Sequence, residues 1–169
     1  MNTLLVVTGP VGIGKTTIAW EMAEVLDEQG LPFGFFDPDA IHFRPVPDDD
    51  PFGSRVWIAA LETAWTLMEV DRLIVPVVVE ERVDAERLLP GAALTIARLT
   101  ASPATVGERI RRRELGAGLD WHLARARELE AHWLEHPVED FLVETEGRDL
   151  RDIAVEVLTR SGWIQGLGA

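Results

Sequence analysis

The sequence predicts an α/β domain in which a five-stranded parallel sheet lies between two layers of helices. Three observations carry that expectation. A glycine-rich loop, Gly9-Pro10-Val11-Gly12-Ile13-Gly14-Lys15-Thr16, joins an apolar run to a helical one. Strand-like and helical segments then alternate along the chain, and several strands read as continuous apolar runs, the mark of strands covered on both faces.

Thr3-Leu4-Leu5-Val6-Val7-Thr8 is the first strand, rich in β-prone residues. Behind the loop, Ile18, Met22, Val25, Leu26 and Gln29 recur at helical spacing, and Gly30 with Pro32 stops that helix. Phe33-Gly34-Phe35-Phe36 reads as the second strand. Residues 37–53 lose periodicity: Pro38, Pro45, Pro47, Pro51 and the run Asp48-Asp49-Asp50 predict an irregular loop. Its length suits a binding segment, with disorder over 45–51 as the competing expectation. A helix over roughly 54–70 follows, with Val56, Ala60, Thr63 and Leu67 on one side. Arg72–Val79 is the third strand; Pro76 removes a ladder donor, so the strand either ends near Val75 or bulges. Ala93–Leu99 is the fourth strand, and helices over roughly 103–116 and 121–135 lead to a fifth at Phe141-Leu142-Val143. A last helix, after Asp149, carries Leu150, Ile153, Ala154, Val157 and Leu158 on one face. No linker or internal repeat divides the 169 residues, so residues 1–169 are expected to form one domain.

Composition narrows the function. A formal net charge of −13 argues against a surface that grips nucleic acid or an anionic membrane. The chain has no cysteine, which excludes disulfides and thiolate metal sites. No apolar run approaches the ~20 residues that span a bilayer, and the N-terminus does not read as a signal peptide. A cytoplasmic protein is expected.

The loop is a full match to G-x-x-x-x-G-K-[ST], the pattern whose backbone N–H groups cradle phosphates. Lys15 is the only lysine; the fifteen other cationic side chains are arginine. A compact ammonium can enter a tight cradle and touch the β- and γ-phosphates where a planar guanidinium is too bulky. Gly9, Gly12, Ile13, Gly14, Lys15, Thr16 and Thr17 are therefore expected to bind a nucleoside triphosphate, with the Thr16 hydroxyl on Mg²⁺. Asp37-Pro38-Asp39 follows the second strand, where ligands of such sheets bind. One of these carboxylates can hold Mg²⁺ through water and the other accept a proton from a substrate hydroxyl, unless the trio is only turn chemistry with Asp39 capping a short helix. Asp37 is expected on the metal side, and Lys15, Asp37, Asp39 and Arg113 are the expected catalytic residues. Residues 101–127 invert the charge of the chain, with six arginines against Glu108, Glu114 and Asp120. An Arg-rich helix, then Gly116-Ala117-Gly118, then a second helix suits a lid over roughly 109–127. Arg109 and Arg113 share a face there, and at least half of the cluster is expected to pair with Glu108 and Glu114 on the solvent side. Glu80, Glu81 and Arg82 end the third strand and either reach the acceptor or metal or begin the next helix. The histidines lack metal-ligand spacing, and Trp121, Trp133 and Trp163 read as packing residues.

With these residues in view, the chain resembles the small P-loop kinases, the group of shikimate, gluconate, adenylylsulfate and nucleotide kinases and chloramphenicol phosphotransferase. It is similar in particular to the tunicamycin-resistance type, at Gly9–Thr16, Asp37-Pro38-Asp39, Ile74-Val75-Pro76, Leu99 to Arg113, Trp121 and Val143-Glu144-Thr145. The resemblance implies a P-loop NTPase three-layer fold with strand order 2-3-1-4-5. It also implies that Pro76 is a family feature, that Arg109 packs on adenine, that a later lid arginine reaches the phosphates, and that Arg148 stands on the nucleotide side. Two departures, Val77-Val78 for a Met-Thr pair and Asp39 for Glu, fall on the acceptor side.

The expected activity is ATP- and Mg²⁺-dependent transfer of the γ-phosphoryl group to a hydroxyl of a small metabolite or antibiotic, with that acceptor as the partner. A nucleoside, nucleotide or adenylylsulfate kinase is the nearest alternative, and a phosphorylated acceptor would call on Arg44, Arg55 or Arg82. A regulatory ATPase without an acceptor is the alternative from another class. Guanine selection through Asn-Lys-x-Asp is impossible with Lys15 as the only lysine, and Val77-Val78-Val79-Glu80-Glu81 is an imperfect version of a motor-type strand ending in Asp-Glu.

Overall fold

A computed structural model describes residues 2–40, 54–114 and 116–165. β1 (Thr3–Thr8) is central in a parallel sheet of order β2-β3-β1-β4-β5, formed with β2 (Gly34–Phe35), β3 (Arg72–Pro76), β4 (Ala93–Thr100) and β5 (Phe141–Glu144). The order is the one the resemblance implied. α1 (Lys15–Glu28) and α6 (Leu150–Arg160) pack together on one face; α2 (Ser54–Leu67) and α3 (Arg82–Glu86) cover the other. β1 shows why its sequence does not alternate: Leu5 and Val7 enter the core under α1 and α6, while Leu4 and Val6 enter the one under α2 and α3. α4 (Pro103–Arg113) and α5 (Ala117–Glu135) form a helical hairpin between β4 and β5.

Several expectations are corrected. β2 is two residues long, and β3 stops at Pro76. Val77 N–H donates to the Val7 carbonyl (3.1 Å), so the N–H that Pro76 lacks would face the other side, toward β2. β2 has already turned away into Asp37, and the missing donor breaks no ladder. The inner side of α2 is Trp57, Ile58, Leu61 and Trp65, with Val56, Thr63 and Leu67 exposed; the larger side chains take the buried stripe. Gln29 is an exposed cap residue, and Leu150 is half exposed. Trp133 and Trp163 are buried, but Trp121 is not: it stands 54% exposed against His122. α5 starts at Ala117, earlier than the periodicity predicted, because Gly116 (φ 74°) turns the chain directly into it. Within the 37–53 loop, Pro38–Ala40 forms a single 3₁₀ turn. Its first carboxylate, not its second, is the cap: Asp37 Oδ1 accepts from Asp39 N–H (3.0 Å). Residues 41–53, with Arg44 and the expected disorder of 45–51, lie outside the described residues.

One charged cluster is buried beside the sheet. Arg98 of β4, 5% exposed, donates from Nε and Nη2 to both Glu139 oxygens (3.0 and 3.1 Å) and from Nη1 to Glu130 (3.3 Å), and its guanidinium lies over Trp133. Burial pushes the Glu139 carboxyl up, but the Arg98 hydrogen bond and neighbouring N–H groups outweigh it and hold the group below its ordinary value. Glu130 moves the other way: burial raises it more than its single bond to Arg98 lowers it. Among the described residues, no helix is long and apolar enough to cross a membrane.

Candidate functional site

The loop from Gly9 to Gly14 leaves the carboxyl end of β1 and winds into α1. Its glycines are steric requirements. A Cβ on Gly12, at φ 80°, would stand 2.6 Å from Ile110 Cγ1 of α4, and one on Gly9 would stand 2.8 Å from the Leu99 carbonyl oxygen. α1 begins at Lys15 behind Gly14 with no side-chain cap, whereas Ser102 and Asp149 cap α4 and α6. The first hydrogen bond into α1 comes from Ile18 N–H, which leaves the N–H groups of its first turn outside the helix ladder, in the positive end of the helix dipole. That end suits a phosphate.

Lys15 folds over this cradle, with Nζ donating to the carbonyls of Gly9 (3.1 Å) and Pro10 (3.2 Å). Burial lowers its pKa from 10.5 to about 8, with Asp39 pulling it up, Arg113 pushing it down and Asp37 again pulling it up. The structure thus brings Lys15, Asp37, Asp39 and Arg113 into one electrostatic neighbourhood from three separate segments. Arg113 Nε donates to Glu114 (2.9 Å) and Arg112 pairs with Glu108, the solvent-side pairing expected for part of the cluster. Thr16 is part-buried and Thr17 exposed in the first turn of α1.

The depressed pKa has a measurable consequence. Below pH 8 Lys15 is protonated in both folded and unfolded chains, and the folded chain carries the full cost of burying its charge. Between pH 8 and 10.5 the folded form releases the proton first, so this group's contribution to stability rises with pH. The chain contains no tyrosine, no cysteine and no other lysine, so no other side chain titrates ordinarily in that window. Lys15→Met is therefore expected to stabilise the nucleotide-free protein at pH 7, by up to about 3 kcal/mol. The gain should shrink to nothing by pH 10.5, as read from denaturant unfolding of both proteins across the range.

Beside the loop, on the α6 side, a cavity of about 300 Å³ is lined by Gly12, Ile13, Gly14, Thr17, Ile18, Arg109, Thr145, Arg148, Leu150 and Ile153. Arg109 Nη1 donates to the Ile13 carbonyl and Thr145 Oγ1 (both 3.0 Å), and Nη2 to the Thr145 carbonyl (3.4 Å). α4 therefore supports the loop twice, through Arg109 on Ile13 and Ile110 on Gly12. Arg148 Nη1 is held by the Glu144 carbonyl (2.9 Å) and Glu156 (2.7 Å). Ile18, Leu150 and Ile153 add an apolar wall that the sequence reading assigned only to packing. Thr145, a buried hydroxyl at the end of an apolar strand, carried a readable signal: a polar residue at a carboxyl end.

By sequence the chain matches no family model and no curated protein. Solved structures match it throughout. The tunicamycin resistance protein of Deinococcus radiodurans superposes with a TM-score of 0.62 at 22% identity, covering 96% of each chain. Shikimate kinase from Acinetobacter baumannii, solved with shikimate, has a TM-score of 0.63 at 19% identity, over 96% of this chain and 94% of its own. A gluconokinase from Sinorhizobium meliloti has a TM-score of 0.58 at 20% identity, over 94% and 93%. With the strand order and the loop after β1, this decides the architecture. The chain has the P-loop kinase fold.

In the P-loop kinase fold ligands gather at the carboxyl ends of the strands, and the remaining predicted residues separate accordingly. Glu81 immediately precedes α3, and Arg82 donates to the Val138 carbonyl (3.1 Å) and pairs with Asp140 (3.2 Å). Glu80 instead pairs with Arg125 of α5. Phe36, which precedes Asp37 in the chain, packs like Trp57 and Val77 against the core under α2 and α3. Among the described residues no three carboxylates or imidazoles converge to hold an ion alone. Mg²⁺ carried by phosphates, water and one or two side chains does not need such a cluster.

Proposed function

We propose that the protein is an ATP- and Mg²⁺-dependent kinase that phosphorylates a hydroxyl group of a small molecule. The observation that carries this reading is the meeting of Lys15, at a glycine cradle ahead of an uncapped helix, with Asp37 and Asp39 from the β2 side and Arg113 from the α4–α5 hairpin. ATP with Mg²⁺ would supply the transferable γ-phosphoryl group and the metal's charge. The first turn of α1 and Lys15 would hold the phosphates, the Arg109–Arg148 cavity would take the nucleoside, and Thr16 with Asp37 would hold the metal. Asp39 or Asp37 accepts the proton of the attacking hydroxyl, and Arg113 balances charge on the moving group. An acceptor side that drew on Asp37 and Asp39, with Phe36 as the preceding apolar residue, would suit a small hydroxyl compound, a metabolite or an antibiotic. The kinase folds that resemble the chain, one of them a tunicamycin resistance protein, support that acceptor class. A cytoplasmic ATP pool fits the same reading.

Coupled measurement of ADP release over a panel of sugars, nucleosides, aminoglycosides and nucleotide-like antibiotics tests the proposal. ADP release that needs a particular acceptor and yields that acceptor's phosphate ester is the expected result; equal hydrolysis to ADP and inorganic phosphate without any acceptor would favour a regulatory ATPase. Asp37→Asn and Asp39→Asn, made separately, should keep ATP affinity within about threefold while the variant that removes the base lowers transfer by about a hundredfold or more. Loss of ATP binding in both would reduce the pair to a structural role.

A further inference from the structure

α5 grips the segment that follows β3 at four places, and these places are unequal. Val78 packs into the small core of Leu129, Trp133 and Val138. Trp133 Nε1–H donates to the Val79 carbonyl (2.9 Å), and His132 Nε2 lies 3.2 Å from the Glu80 carbonyl oxygen and 3.1 Å from the Glu81 carboxylate. All three hold the C-terminal half of the helix. The fourth tie is the Arg125 guanidinium on the Glu80 carboxylate, two turns nearer the α4–α5 turn, about 12 Å along the axis from Trp133. The gripped segment is itself tied to the phosphate loop, because Val79 N–H donates to the buried Thr8 Oγ1 (3.0 Å), one residue before Gly9.

Both partners of the fourth tie are part-exposed, Glu80 at 46% and Arg125 at 27%, and a pair so placed adds little to global stability. Its position is what distinguishes it. It joins the N-terminal half of α5, and through it the hairpin that carries Arg113, to the strand end beside the phosphate loop. Among the described residues, the second carboxylate paired with Arg125 is Glu128 (3.6 Å), on the same helix, and a bond to it anchors nothing outside α5.

We propose that Glu80 is a positioning residue, a latch that through Arg125 holds the N-terminal half of α5 against the strand end and so steadies the last residues of α4, beyond the Arg109 and Ile110 contacts, and with them the approach of Arg113 to the transferred phosphoryl group. The proposal rests on the kinase reading for its effect on turnover but not for its effect on the hairpin. Leu119, Leu123 and Ala126 still pack the same part of α5 onto the main core, so removing the latch loosens the N-terminal half of α5 without undocking it, while the C-terminal half stays fixed by Trp133 and Val78.

The test compares the full-length wild type with Glu80→Gln, Arg125→Gln, the exchanged pair Glu80→Arg with Arg125→Glu, and Arg127→Gln as a control on the other side of α5. Amide hydrogen exchange without nucleotide should speed up about three- to fivefold over residues 116–125 in either single variant, with 129–135 unchanged. The exchanged pair should return to the wild-type rate, and the control should not move. Equal exchange over 116–125 in wild type and Glu80→Gln, or acceleration across all of α5, would overturn the latch whatever the protein's activity. With MgATP and an acceptor found in the panel, both single variants should lose about tenfold in kcat with the ATP Kd unchanged, and the exchanged pair should recover most of it. Loss through ATP Kd instead of kcat, or no recovery, would overturn the positioning role; a wild type that fails to bind ATP would overturn the kinase reading and leave the exchange result to decide the latch.

Discussion

Lys15→Met should leave a folded protein that transfers phosphoryl groups about a thousandfold more slowly or not at all, the loss expected when a charge aimed at a transition state is removed. Lys15→Arg should fail almost as badly. The ammonium reaches the Gly9 and Pro10 carbonyls in a part-buried niche, and a guanidinium fork does not fit so tight a place. The result is diagnostic because the same Lys15→Met change should raise stability at pH 7. A residue that is costly to the fold, through burial of its charge, and indispensable to turnover is held there by function. Isothermal titration with ATP·Mg²⁺ and single-turnover assays on both variants check the first effect; wild-type turnover in Lys15→Met would remove the phosphate-site assignment.

Arg98→Ala is expected to have the largest effect on the fold, a loss of about 3–5 kcal/mol. That range is a large share of the roughly 5–15 kcal/mol by which domains are stable. The reason is what stays behind. Glu139, with its side chain 10% exposed, would keep its carboxylate without the guanidinium that now binds both oxygens, and Glu130 would lose its partner too. Adding Glu139→Gln to Arg98→Ala should recover part of the loss, since the orphaned charge is then gone. In the wild type, the depressed Glu139 pKa means stability that is present above its ordinary value near pH 4.5 and is lost as pH falls through the lower folded value. Urea unfolding at pH 7 and pH 4 checks both statements; a change below 1 kcal/mol for Arg98→Ala would show that the cluster is solvated in solution.

Much of the fold was legible because its signals are local. β1 and the glycine loop are written in consecutive residues, and the alternation of apolar strands with helical periods specified a parallel sheet before any contact was known. The faces of elements were less legible. In α2 two overlapping apolar stripes, Val56–Ala60–Thr63–Leu67 and Trp57–Ile58–Leu61–Trp65, compete, and spacing does not rank them; the volume available against β3 does. The short β2 and the early stop of β3 come from a pairing that ends where Asp37 turns away, which depends on the neighbouring strand.

The candidate site divides along the same line. The proposed phosphate binding is legible in the sequence, since the pattern works through backbone N–H groups whose geometry the glycines and the following helix impose locally. Which side chains join Lys15 is a matter of distance between segments far apart in the chain. Of the charged residues singled out by position, by charge or by the resemblance, folding brings Asp37, Asp39 and Arg113 toward Lys15, places Arg109 and Arg148 in the adjoining cavity, and pairs Arg82 with Asp140 and Arg112 with Glu108. The pairing of Glu80 with Arg125 could not be read from residue types, because a carboxylate and a guanidinium 45 positions apart have many possible partners. Sequence periodicity and the loop pattern were enough to specify a parallel sheet between helices and the glycine loop ahead of α1, both products of short-range backbone geometry, while the strand order came from the resemblance. Selection among equivalent charges waited on packing, because electrostatic partnership depends on where the folded sheet leaves each charge.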